Sequence, residues 1–281
     1  MTDSQLNREP ILVLGGTGKT GRRVAERLSN AGHAVRIGSR SAEPRFDWDD
    51  QATWAPALQG MKSVYIAYQP DLAVPEALPA VQAFCGQAIE SGATRLVLLS
   101  GRGEFEAEQC EAALQATSAE WTILRASWFS QNFSENFWLD GALAGEIALP
   151  VGDVAEPFVD AEDIADIAFA ALTQSGHAFQ LYEITGPRAL SFPEAIAEIA
   201  AATGRGVRFT RVPAEAYAAE LARLEMPPNY ADLVMYLLIT VLDGRNTPLA
   251  DGVQRALGRP PIDFSDYVRR TAATGIWSAR Q

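Results

Sequence analysis

A doubly wound α/β fold, with a parallel sheet and a smaller, mostly helical C-terminal lobe, follows from three observations. Short apolar runs alternate with helical stretches along most of the chain. The first of these runs ends in a glycine-rich turn that opens directly onto a helix. From Pro213 onward the text is mostly helical, interrupted by Pro227-Pro228 and Pro260-Pro261. The expected division is a sheet domain over residues 1–150, its sheet also receiving strands from about 156–184, and a smaller lobe over 185–281.

Ile11, Leu12, Val13 and Leu14 form an unbroken aliphatic run, the pattern of a strand buried on both faces. Gly15, Gly18 and Gly21 follow at G-x-x-G-x-x-G spacing. A helix with Val24, Ala25 and Leu28 facing inward comes next, and a second strand at 34–37 closes the unit. Further strands are expected at 45–47, 62–67, 94–99 and 121–125, with helices at 51–58, 74–90 and 104–117 between them. In the last of these helices Glu106, Glu108 and Glu111 read as a solvated face. An aromatic helix is expected at 130–143, with Phe133, Phe137 and Trp138 at core spacing. Beyond it lie a strand at 156–159, a helix entered through FVDAEDIADIAFAAL with an acidic first turn, and a strand at 180–184. A helix at 192–202 and a strand at 207–211 complete the series.

The glycine turn has one well-understood use, to hold a dinucleotide pyrophosphate. Gly15 lets the chain leave the strand sharply, Gly18 keeps no side chain in the way of a phosphate, and Gly21 lets the helix pack closely. The helix N-terminus then offers N–H groups and the positive end of its dipole to the anion. A Rossmann-type sheet is the fold this implies. An NAD site usually carries an acid at the end of the second strand, for the ribose 2′-hydroxyl. Here that position reads Ile37-Gly38-Ser39-Arg40. Arg40 can stack on adenine and pair with a 2′-phosphate, Ser39 can donate to it, and Lys19 adds a second cation. NADP(H) is the expected cofactor. For Asp47, contact with the adenine and a plain turn role remain equally open.

The bulk numbers narrow the class. The 281 residues carry a net charge of −12, with no basic cluster, which disfavours nucleic acid and anionic membrane surfaces. The N-terminus is too polar for a secretory signal and no apolar run spans a bilayer, so the cytosol is the expected compartment. Cys85 and Cys110 form no C-x-x-C pair and are expected to be reduced and structural. His33 and His177 lie far apart, so neither a metal site nor a Ser–His–Asp triad is expected.

Short-chain dehydrogenases ordinarily protonate the substrate oxygen with a Tyr-x-x-x-Lys pair. Lys19 and Lys62 are the only lysines, and four residues before them stand Gly15 and Leu58. The pair is absent, and no acid or base emerges in its place. One reading is a substrate whose reduction needs little acid help, such as a quinone, where positioning supplies most of the catalysis. The other is a protein that senses NADP(H) without chemistry, binding a protein partner.

With these features the sequence resembles the NmrA-like atypical short-chain dehydrogenases, a group with quinone and triphenylmethane dye reductases and a fungal nitrogen regulator. The resemblance rests on GGTGKTG, FDWDDQATWAPAL, LLSG, WTILRASWFSQNF, FVDAEDIADIA, YEITGPRALSFPEAIAEIAAATGR and LGRPPIDFSDYVRR, in order over nearly the whole chain. It implies that Gly15, Thr17, Gly18, Lys19 and Thr20 wrap the pyrophosphate, and that Ser39 and Arg40 hold the 2′-phosphate. Ala67, Tyr68 and Gln69 would line the ribose and the adjoining nicotinamide side, with Ser100 and Gly101 near the nicotinamide. Trp128, Phe129, Gln131, Asn132 and Phe133 would form the nicotinamide end and the substrate floor, aromatic rings sandwiching a planar acceptor. The C-terminal part would then be a substrate lobe. The expected activity is reduction of a quinone-like or other planar aromatic substrate. A redox sensor, an oxygenase-type tailoring enzyme of aromatic polyketide assembly, and a homodimeric state all stay open.

Overall fold

The structure, a computed structural model, describes residues 10–136 and 138–278. Phe137, expected in the core, lies outside the described residues. In chain order the elements are β1 Ile11–Leu14, α1 Lys19–Asn30, β2 Val35–Gly38, α2 Trp54–Leu58, β3 Ser63–Ile66, α3 Ala77–Glu90, β4 Arg95–Gly101, α4 Phe105–Gln115 and β5 Glu120–Ala126. There follow α5 Leu139–Ala144, β6 Glu146–Leu149, β7 Ala155–Glu156, α6 Ala161–Thr173, β8 Gln180–Ile184, β9 Leu190–Ser191, α7 Phe192–Thr203 and β10 Arg208–Arg211. The last helices are α8 Ala214–Arg223, α9 Pro228–Tyr236, α10 Gly252–Leu257 and α11 Phe264–Ala273. None is long and apolar enough to cross a membrane.

The chain divides into two compact units that interleave in sequence. The first comprises residues up to Ala126, Ala161–Ile184 and Asp251–Arg259, and the second Ser127–Asp160, Thr185–Ala250 and the chain from Pro260. This differs from a boundary at 150 and a lobe starting at 185. The chain leaves the sheet at the end of β5, returns for α6 and β8, and returns once more for α10.

The first unit is a six-stranded parallel sheet in the order β2-β1-β3-β4-β5-β8, confirming the doubly wound reading. The period-two geometry of a strand sorts its apolar residues between two faces. Leu12, Leu14, Val64, Ile66, Leu96, Leu98 and Ile123 share one core with Trp54, Val81, Phe84, Cys110 and Leu114. Each large aliphatic buried this way contributes roughly 1.5–3 kcal/mol. α1 is tied to α6 by Arg23–Glu162 and Arg27–Asp166, both at 2.6 Å. The acids at the start of α6 thus pair with guanidinium groups besides favouring the helix dipole, and the fully buried Asp163 pairs with Arg259 at 2.6 Å. Cys85 and Cys110 are both free and buried, and burial pushes each thiol up to about 12.

No strand forms at 45–47. Asp47 joins only an isolated bridge with Asp50, its carboxylate accepting the Asp49 N–H and its carbonyl the Trp54 indole N–H. Local side-chain bonds of this kind compete with a sheet ladder. The residue is an organiser of its turn.

In the second unit β6 pairs in parallel with β10, and β7 antiparallel with β9. The strand expected at 156–159 shortens to Ala155–Glu156, because Phe158 and Val159 turn into the interior. The helix expected at 130–143 is broken into a 3-10 turn, Ser130–Phe133, and α5. The Trp138 N–H returns to the Asn132 carbonyl at 3.1 Å, closing the gap between them. Phe133, Trp138, Phe158, Phe192, Phe264 and Tyr267 form the aromatic heart of this unit, with ring centroids 4.7–6.3 Å apart along successive pairs from Phe133.

Asp263 caps α11 through the Ser265 N–H and pairs with Arg188 at 2.8 Å. The Arg188 hydrogen bonds hold its carboxyl well below the ordinary carboxylate value. A depressed folded-state value contributes stability that is fully present above the unfolded carboxylate pKa, about 3.9, and is lost as pH falls through the folded value. Asp263→Asn is expected to flatten the acid limb of a stability-against-pH curve measured by urea unfolding. An unchanged limb would contradict this assignment.

Candidate functional site

The glycine turn is fixed by backbone geometry. Gly15 stands at φ +64°, in the left-handed region that glycine enters without penalty. Its N–H donates to the Gly38 carbonyl at 3.1 Å, and its own carbonyl accepts the Gly18 N–H at 2.8 Å. The turn is thereby pinned at the carboxyl ends of β1 and β2. A Cβ on Gly21 would lie 2.6 Å from the Gly15 carbonyl carbon and 3.0 Å from the Gly16 Cα, so this approach admits no side chain. Gly18 is the N-cap of α1 without a side-chain cap bond, and the first turn holds no acid. A helix start left in this state is a seat for an anion. Thr17 and Gly18 are exposed there, Lys19 is half-buried, and Thr20 is buried next to Tyr65 of β3.

Beside this seat, β2 ends at Gly38 and continues into Ser39 and Arg40 with no carboxylate. The Ser39 carbonyl accepts the Phe46 N–H at 2.9 Å, and its hydroxyl lies 3.3 Å from that of Ser41. Arg40 is exposed. Ala67, at the end of β3, comes within 3.3 Å of where a Gly15 Cβ would be. Tyr68 packs on Trp48 at 4.8 Å, and Gln69 is exposed. Burial, with Asp49, Glu76 and Cys110 nearby, pushes the Tyr68 phenol up to about 12. It is the reverse of a tyrosine activated by a lysine.

Ser100 and Gly101 end β4. The Ser100 hydroxyl donates to Glu111 at 2.6 Å, and Glu111 also receives the Arg125 guanidinium. Glu111 is 2% exposed, so it does not belong to a solvated face. The signal was in the spacing: Ala107, Cys110, Glu111 and Leu114 recur as one helical stripe, and all are buried. Two further carboxyls escaped the sequence reading. Asp71, on the loop after β3, faces Glu104, on the loop after β4.

The remaining predicted residues belong to the second unit. Trp128 is half-buried and stacks on Trp138 at 5.4 Å. Phe129 is half-buried and bridges to Val159. The Gln131 amide donates to Asp160 at 2.7 Å, and Asp160 also pairs with Arg270. Asn132 is buried, and Phe133 is 0% exposed within the aromatic core. In this structure Phe133 serves packing rather than a floor. The structure therefore collects the thirteen coenzyme candidates on the sheet unit and the five substrate candidates on the other.

No family model matches the chain. It is 32% identical over 286 residues to the uncharacterized oxidoreductase YesF of Bacillus subtilis, covering 97% of this chain and 99% of the relative. It is 31% identical to festuclavine synthase II of Penicillium roqueforti (91% and 96% covered) and 28% to an NAD(P)H azoreductase of Xenophilus azovorans (94% and 98%). Among solved structures, Escherichia coli quinone oxidoreductase QOR2 with NADPH matches at TM-score 0.77 and 20% identity, covering 92% of this chain and 99% of that one. Citrobacter sp. triphenylmethane reductase with NADP(H) matches at 0.73 and 17% (94% and 99%), and the regulator NmrA at 0.71 and 13% (96% and 98%). The chain belongs to the NmrA-like atypical short-chain dehydrogenase/reductase family, a family of NAD(P)H-dependent oxidoreductases.

Proposed function

We propose that this protein is an NADPH-dependent reductase of a quinone-like or other planar aromatic acceptor. The observation that carries the reading is the anion seat at the start of α1 next to a strand end that offers Ser39 and Arg40 instead of an acid. The residues fit the coenzyme: Gly15, Thr17, Gly18, Lys19, Thr20 and Gly21 for the pyrophosphate, Ser39 and Arg40 for the 2′-phosphate. Ala67, Tyr68, Gln69, Ser100 and Gly101 take the ribose and nicotinamide side. When bound, the coenzyme supplies the hydride. Trp128 and Phe129 are the aromatic surface we assign to the acceptor, with Gln131 and Asn132 as its polar neighbours. The azoreductase relative and the quinone oxidoreductase neighbour both support an extended, electron-poor acceptor.

Two measurements test this. Purified protein mixed with NADPH and a panel of quinones and dyes is expected to oxidise the coenzyme faster than the protein-free mixture. No excess rate across the panel would contradict the reading. Arg40→Ala is expected to weaken NADPH about 10- to 100-fold and NADH less than about twofold, since a charge-assisted bond contributes roughly 1.5–3 kcal/mol. Equal losses for both coenzymes would remove Arg40 from the 2′-phosphate.

A further inference from the structure

We infer that Asp71 and Glu104 form a proton-sharing carboxyl pair that protonates the acceptor, the role left vacant by the absent Tyr-x-x-x-Lys pair. The inference rests on the reductase reading above and adds the acid to it.

Both residues sit on the carboxyl edge of the sheet, on loops after adjacent strands β3 and β4. Ligands of open α/β sheets bind at this edge. The pair reaches the coenzyme candidates at Gly101: the Glu104 carboxyl lies against it, where any Cβ would overlap it. The absence of a side chain at Gly101 is what gives the Glu104 carboxyl its place. Glu104 is 8% exposed, and its Oε2 is buried with no hydrogen-bond partner. Asp71 is half-buried, its Oδ1 held by the Ala73 N–H at 2.9 Å.

Two facing carboxyls, one of them almost wholly buried, resist joint ionisation, so one proton is held between them. Burial and the Asp71 charge push Glu104 well above the usual carboxylate range, and burial pushes Asp71 up as well. The charged and titratable groups facing the pair are Glu106, Cys110 and Glu111 of α4. Glu111 is neutralised by Arg125 of β5, whereas Glu106 adds to the force that retains the proton. In quinone reduction, hydride adds to the acceptor and the electron pair of the carbonyl moves onto oxygen. The O–H bond of Glu104 breaks as its proton passes through Asp71 to that oxygen, and water returns a proton to the pair. A cationic triarylmethane dye needs no such proton, because hydride addition at its central carbon gives a neutral product.

The test compares wild type, Glu104→Gln, Asp71→Asn and the control Glu108→Gln. In both pair variants the quinone rate is expected to fall roughly 10²-fold relative to the dye rate, within the range of general-acid contributions. The control is expected to keep the wild-type ratio. Independently of turnover, infrared spectra at neutral pH are expected to show a protonated-carboxyl C=O band in the wild type that Glu104→Gln abolishes. Equal losses with both acceptors, or no such band, would overturn the pair's role. A wild type that binds NADPH, shows the band and reduces neither acceptor would overturn the reductase reading, and the catalytic role with it.

Discussion

Gly21→Ala is expected to weaken dinucleotide binding by at least about 100-fold, a loss of roughly 2.7 kcal/mol. The added methyl meets the Gly15 carbonyl carbon at 2.6 Å and the Gly16 Cα at 3.0 Å. Both are backbone atoms, so no side chain can swing aside, and the turn or the whole start of α1 must move. Overpacking in a closed site typically costs 1–3 kcal/mol, and here it falls on the groups that would face the pyrophosphate. Titration with NADPH followed by nicotinamide fluorescence checks the affinity, and circular dichroism checks that the sheet survives. Affinity within threefold of wild type would remove the turn from the binding surface.

Arg125→Ala is expected to destabilise the protein by about 3–5 kcal/mol, the usual cost of leaving a buried charge without its partner. Glu111 would keep only the Ser100 hydroxyl at 2.6 Å in a position 2% exposed to solvent. Urea unfolding measures the loss through the midpoint, with the slope unchanged. A loss below about 1 kcal/mol, the range of an exposed ion pair, would mean that Glu111 is solvated after all.

Much of the sheet unit was legible because its signals are local. An aliphatic run of four, three glycines at fixed spacing and the absence of acid at Ser39-Arg40 each depend on neighbours in sequence. Residues 180–184 read as a strand and are one, since turns bound them on both sides. What the sequence hid depends on long-range partners. Glu111 looked like one of three surface acids, and only Arg125, fourteen residues away, makes its burial tolerable. The Asp71–Glu104 pair joins loops 33 residues apart, and no periodicity reports such a meeting. The aromatic stretch around Phe133 read as one helix because its spacing is helical, but Asn132, Ser134 and Asn136 favour turns and break it. The interleaving of the two units was invisible for the same reason: chain order says little about which segments return to a sheet.

On the proposed reading, the anion seat of α1 and the Ser39-Arg40 strand end select a dinucleotide carrying a 2′-phosphate. Isothermal titration of the purified protein with NADPH and, separately, NADH tests this most directly. Saturable heat is expected with NADPH, and an affinity at least about tenfold tighter than for NADH, a difference of roughly 1.4 kcal/mol. Tighter binding of NADH, or no heat with either coenzyme, would contradict it.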